Sequence, residues 1–254
     1  MKRVLKSGLR LAWFPVASFA VLLGGIPLVS GGVMAGDTQT EQKPHRVVLL
    51  GASIGQTWNL SAFPERVRDK NYVVESFAVW QFDKYEMLDE VLMRPERKFH
   101  LTRTYLKSLF QPAPQLPDTI ILKECSAYFP GEPRQQKELV KKWVGQVSHA
   151  GVQPILATSV PVTRKRSEMD KGKMDGIREY NDWIRNYAKD QRIPLLDLEL
   201  ALRADPVERY LRDDLTSGDG SHLNAKAYEI LDSLLHKTLG DIRKEADTPR
   251  IVKE

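Results

Sequence analysis

A chain of 254 residues, 42% hydrophobic and 28% charged, can bury one full core and is composed like a soluble globular domain. Its formal charge of +5 is a poor pointer to nucleic acid, because Lys2, Arg3, Lys6 and Arg10 supply most of the excess and the rest of the chain is close to neutral. Cys125 is the only cysteine, which excludes an internal disulfide and a cysteine-built zinc site.

Residues 1–35 pair a basic start with an apolar, small-residue stretch and end on Val33-Met34-Ala35, the pattern of a signal peptide. The stretch is also long enough to be an uncleaved anchor, although Pro15, Pro27 and several glycines weaken a spanning helix. Export to the periplasm or the medium is expected either way, with any membrane contact limited to this segment. Residues 36–45 read as a polar linker, 46–240 as the folded domain and 241–254 as a polar tail.

Val47-Val48-Leu49-Leu50 is a continuous apolar run, as in a strand covered on both faces, and Gly51 and Gly55 permit a tight exit from it. Ser61–Val67 predicts a short helix, with Pro64 near its start. Tyr72–Val79 is a second strand. Met87, Leu88, Val91 and Leu92, then Leu101, Tyr105, Leu106 and Leu109, predict two helices broken near Pro95. The Pro-rich stretch 111–117 leads into a third strand, Thr119–Leu122, and a loop follows over 124–131.

Glu132–His149 reads as a helix with Leu139, Val140, Trp143 and Val147 inward. Val152–Val160 is the fourth strand. Thr163–Gly176 is charged and aperiodic, which predicts a mobile loop. Ile177–Lys189 is a helix facing inward through Ile177, Tyr180, Ile184 and Tyr187, and Ile193–Leu198 is the fifth strand. Short helical pieces are expected over 199–213. Asn224 can cap a last helix that buries Ala227, Ile230, Leu231, Leu234 and Leu235. Strands alternating with helices imply an α/β fold: a flavodoxin-like three-layer sandwich with a five-stranded parallel sheet, order 2-1-3-4-5, and helices on both faces. Ligands then bind at the carboxyl ends of the first and third strands.

Ser53 lies at one of those ends and Glu124-Cys125-Ser126 at the other. A serine hydroxyl needs a base to become a nucleophile. His222 is the candidate base, and Asp219, three residues before it, is the candidate group to orient the imidazole. Alone, Ser53 reads as a turn residue and Asp219–His222 as a polar loop. Together, on the expected strand end and the last loop, they read as a Ser-His-Asp triad.

These blocks resemble those of the SGNH (GDSL-type) hydrolases over roughly residues 46–240. Gly51-Ala52-Ser53-Ile54 matches the nucleophile block and Asp219-Gly220-Ser221-His222-Leu223-Asn224 the His block. Arg178-Glu179-Tyr180-Asn181 and Leu196-Asp197-Leu198 also fall where such enzymes have a Tyr-Asn helix and a Leu-Asp strand. The resemblance implies an ester of a carbohydrate or lipid as substrate, an acyl-enzyme on Ser53, and no metal or organic cofactor.

The chain departs from the family at three places. Ala52 replaces an aspartate, Val79–Phe82 lacks the glycine of the second block, and Lys123–Ser126 lacks the asparagine of the third. Losing one oxyanion donor typically costs about 10²–10³ in rate. Ser53, through its N–H, and the Gln81 and Ser126 side chains are the remaining candidate donors. Trp80, Glu124 and Tyr128 are candidate substrate-lining residues, and Phe129 is a further one, with core packing as the alternative for the aromatics. Cys125 reads as a small buried residue. His45, His100, His149 and His236 lack metal-ligand spacing and read as surface residues. The basic 163–176 segment either attracts an anionic substrate or is a solvated loop. Besides hydrolysis, a glycan- or lipid-binding module without turnover, and an acyltransferase on the same triad, remain open.

Overall fold

The computed structural model describes residues 43–79, 83–92, 116–129 and 133–247. Their elements are β1 (His45–Gly51), α1 (Ser53–Thr57), α2 (Phe63–Arg66), β2 (Tyr72–Ala78), α3 (Lys84–Val91), β3 (Thr119–Lys123), α4 (Pro133–His149), β4 (Gln153–Ala157), α5 (Arg164–Met169), α6 (Lys173–Asp190), β5 (Leu195–Leu196), α7 (Leu198–Leu202) and α8 (Ala225–Asp247). The five strands form one parallel sheet in the order β2-β1-β3-β4-β5. The expected α/β arrangement is therefore present.

The continuous apolar runs are explained by burial on both sides. Val47, Leu49, Ile121 and Ile155 face one helix layer, formed by α1, α2, α7 and α8. Val48, Leu50, Ile120, Leu122 and Leu156 face the other, formed by α3, α4 and α6. The expected inward residues Val140, Trp143, Val147, Ile177, Tyr180 and Ile184 are buried, and Leu139 and Tyr187 lie at the margin. On α8, Ala227, Leu231, Leu235 and Leu239 are buried, while Ile230 and Leu234 are only partly covered.

Gly55 has a packing reason. A Cβ there would stand 2.6 Å from Leu49 Cδ2, so any larger residue would have to push that buried side chain aside for α1 to lie this close over β1. The clamp is completed from α8. Trp58 Nε1 donates to Asp232 Oδ1 at 2.8 Å, and Arg66 reaches both Asp232 oxygens at 2.6 and 2.9 Å. The Trp58 and Tyr228 rings stack at 6.3 Å.

Four sequence-based expectations are corrected. Thr163–Gly176 is not a loop throughout: α5 occupies Arg164–Met169 and α6 begins at Lys173. Charge, not apolar periodicity, holds this segment. Thr163 Oγ1 accepts from Arg166 N at 3.3 Å, and Asp170 pairs with both Arg166 and Lys173. The fifth strand is only Leu195–Leu196, because Asp197 accepts from Leu200 N and starts α7. Residues 126–128 of the expected 124–131 loop form a 3-10 turn. The polar stretch after residue 240 continues α8 to Asp247. The second helix expected before the Pro-rich stretch, and the N-terminal segment, lie outside the described residues.

Candidate active site

Ser53 opens α1 directly after β1, with Ala52 buried in the N-cap position. Its N–H, in the first turn, has no intrahelical acceptor. The second component is built by the chain between β5 and α8. Thr216 and Leu223 pair across an antiparallel bridge, Ser217 N donates to His222 O at 2.9 Å, and Asn224 N to Leu215 O at 3.0 Å. Asn224 caps α8 by accepting from Ala227 N at 3.1 Å, and its amide donates to Asp214 O at 2.9 Å. His222 thus stands at the end of a closed, twice-anchored loop.

Within that loop, Asp219 Oδ2 meets His222 Nδ1 at 2.5 Å. Asp219 Oδ1 accepts from the backbone N–H groups of Ser221 at 2.9 Å and His222 at 2.8 Å. One carboxylate oxygen holds the ring and the other holds the backbone, so the imidazole is fixed through two routes. Partial burial raises the Asp219 pKa, but the hydrogen bonds from His222 and Ser221 outweigh it and hold the carboxyl at about 2. Asp219 is therefore ionised throughout the working range of an imidazole base.

This shift has a testable sign. A carboxyl depressed from 3.8 to about 2 on folding stabilises the native state above about pH 4, and that contribution disappears as pH falls through 2. Denaturant titrations between pH 5 and pH 2 should show wild type losing more stability than Asp219→Asn. Parallel losses would mean that the loop gains nothing from the charge.

Gly220 links the loop to the sheet. It has φ +77°, and a Cβ there would lie 2.5 Å from Thr163 Oγ1 and 2.8 Å from Arg166 Cβ. Thr163 N donates to Gly220 O at 2.9 Å. Since Thr163 continues from the carboxyl end of β4, the His222 loop sits at the same sheet end as Ser53. Among the described residues no hydrogen bond joins Ser53 to the imidazole. Their elements are tied by Trp58, Tyr228 and Asp232, and by a short hydroxyl contact between Thr57 and Tyr228. In unliganded sites of general acid–base type such bonds are often long and tighten only when substrate binds.

Comparison with solved structures gives matches to a GDSL-like lipase from Bacteroides thetaiotaomicron (17% identity, TM-score 0.54, 78% of this chain and 89% of that one) and to a described acylhydrolase from Bacteroides fragilis (17%, 0.56, 80% and 92%). An acetyl xylan esterase also matches (15%, 0.54, 76% and 99%). This chain has the SGNH-hydrolase fold. No family model and no curated protein matches the sequence.

Measured against the SGNH fold, the other candidates separate. Trp80 and Gln81 lie outside the described residues. Ser126 starts the 3-10 turn after β3 and is half-buried. Glu124 is not positioned to line a substrate groove: it is fully buried, pairs with Lys84 and accepts from Gln136. Burial pushes its carboxyl up, against the pull of Lys84. The Tyr128 ring lies 5.7 Å from Lys84 Nζ, and Phe129 is buried 5.4 Å from the Tyr180 ring. Cys125 is buried, as expected. His45 is not a surface residue: it is half-buried and bonded to Thr119 Oγ1 at 2.8 Å. His236 pairs with Asp69 at 3.1 Å, and His100 lies outside the described residues.

Lys84 was missed in the sequence. Its signal was present, because Lys84, Leu88 and Leu92 share one helical face and all are buried. Lys123, with its stem beside Gly51, is also buried and donates to Glu124 O at 3.0 Å; burial lowers its pKa. Among the described residues no cluster of His, Cys, Asp or Glu is arranged for a metal, and no helix is long and apolar enough to cross a membrane.

Proposed function

We propose that the protein is an exported, divergent SGNH-type serine hydrolase that cleaves a carbohydrate or lipid ester. The observation that carries this reading is the Asp219–His222 hydrogen bond at 2.5 Å in an anchored loop at the same sheet end as Ser53. In the proposed reaction Ser53 Oγ attacks the ester carbonyl as His222 Nε2 takes its proton. The tetrahedral intermediate collapses, the alcohol leaves with the proton returned by His222, and water then hydrolyses the acyl-Ser53 by the same steps. The Ser53 N–H is the oxyanion donor closest to the reacting atom, with Ser126 and Gln81 as candidate partners. Export rests on the basic and apolar pattern of residues 1–35.

A fluorophosphonate probe should label the wild-type chain and not Ser53→Ala. Undiminished labelling of that variant rejects the assignment.

One observation favours a second reading, a binding module with little turnover. Where the resemblance calls for an asparagine donor after β3, Lys123 and Glu124 are buried and engaged with each other's surroundings. That reading fails if 4-nitrophenyl acetate is turned over robustly and His222→Ala abolishes it. Product analysis with an added sugar acceptor separates hydrolysis from acyl transfer.

A further inference from the structure

The parallel strands β1, β2 and β3 all start at the sheet end opposite Ser53 and the His222 loop. Two clefts open there. One, of about 420 Å³, lies between the start of β2 and the C-terminal part of α8, and is lined by Asp69, Tyr72, His236, Lys237 and Lys244. The other, of about 190 Å³, lies at the start of β1 and is lined by Lys43, His45, Asn71 and Asp118. Arg243 borders both. The larger falls within the roughly 300–1,000 Å³ of small-ligand sites.

The carboxylates in these clefts are engaged. Asp69 accepts from Asn71 N at 3.0 Å and faces His236 Nε2 at 3.1 Å. Asp118 accepts from Arg46 N at 2.7 Å. Asp241 alone serves both Lys237 at 3.5 Å and Lys244 at 3.9 Å. The cations are less well answered. Neither Lys43 nor Arg243 has a hydrogen bond or ion pair with a described residue. Arg243 instead lays its guanidinium 5.5 Å from the centre of the Tyr72 ring. Tyr72 is only 3% exposed and meets His45, Phe63 and His236 edge-on, so the platform under the guanidinium is fixed.

A guanidinium held flat on a buried ring, with its donor edge unanswered, is preorganised for an oxyanion. A phosphate fits better than a carboxylate, because its three oxygens can meet the two-pronged Arg243 edge and a lysine together. We propose that Arg243 is the centre of a phosphate-binding site between the two clefts. The phosphate belongs either to a soluble ester or to the headgroup of an acidic phospholipid. The length of β1 separates this site from Ser53 by roughly 20 Å, at about 3.3 Å per residue, so the ligand is not one that Ser53 attacks. The proposal holds whether or not Ser53 turns over an ester.

The test uses the full chain at low ionic strength. Calorimetric titration with glycerol 3-phosphate reads the soluble source. Co-sedimentation with phosphatidylcholine vesicles, with and without phosphatidic acid, reads the lipid source as the increment due to phosphatidic acid. Wild type should show at least one of the two. Arg243→Gln should weaken it about tenfold, whereas Lys171→Gln, the same loss of charge between α5 and α6, should change it less than about twofold. Lys43→Gln, at an exposed residue ahead of β1, leaves the Tyr72 platform untouched and should weaken it about threefold. Binding in one arm only identifies the source and upholds the site. Absence of binding in both arms, or equal losses in Arg243→Gln and Lys171→Gln, overturns it.

Discussion

Replacing Asp219 by asparagine should lower kcat on 4-nitrophenyl acetate about 10⁴-fold without unfolding the chain. The size of the effect follows from which atom each oxygen serves. Oδ1 accepts from two backbone N–H groups, and only an oxygen can do that. Asparagine would keep its carbonyl there and turn its NH₂ toward His222 Nδ1. The ring would then accept at Nδ1 and carry its proton on Nε2, leaving no lone pair to take the Ser53 proton. The loop would persist while the base was lost. Circular dichroism and the Ser221–Asn224 backbone geometry should therefore match wild type while turnover collapses. A loss of tenfold or less would show that Asp219 does not set the tautomer. His222→Ala should cost as much as Ser53→Ala, because residues that act as a unit are not additive.

How much of this was legible depends on the scale of the interaction. Runs such as Val47–Leu50 declare a doubly covered strand by themselves, and five of them in alternation with helices leave few topologies. The Asp219–His222 pair was also legible, since three residues in a glycine-containing loop set its reach. What failed was structure held by charge. Arg164–Met169 has no apolar period, and its helix depends on the Thr163 cap, on Asp170, and on Gly220 from about fifty residues away. Leu195–Leu196 looked longer because Ile193 and Leu198 extend the apolar stretch on either side, yet Asp197 is a helix cap held by Arg185 at 2.8 Å. Local pattern cannot register a partner that only the tertiary fold supplies.

Glu124 shows the same limit with a larger energetic consequence. The sequence placed it on the substrate side of the strand end, but neighbouring side chains there point to opposite faces. Lys123 lies toward Gly51, and Glu124 enters the other layer, where Lys84 and Gln136 arrive from α3 and α4. Lys84 and Glu124 are both 0% exposed, and Lys84 Nζ sits 5.1 Å from the Trp143 ring. Removing one partner leaves an uncompensated buried charge, so Glu124→Ala should destabilise the chain by about 3–5 kcal/mol. Replacing both by apolar residues of similar size removes the charge and its partner together, and Lys84→Met with Glu124→Leu should recover most of that loss. Urea denaturation of the two single variants and the double closes the cycle. If the double variant were as unstable as the sum of the singles, the pair would not be coupled, and the cost would lie instead in the Gln136 bond and the packing around Trp143.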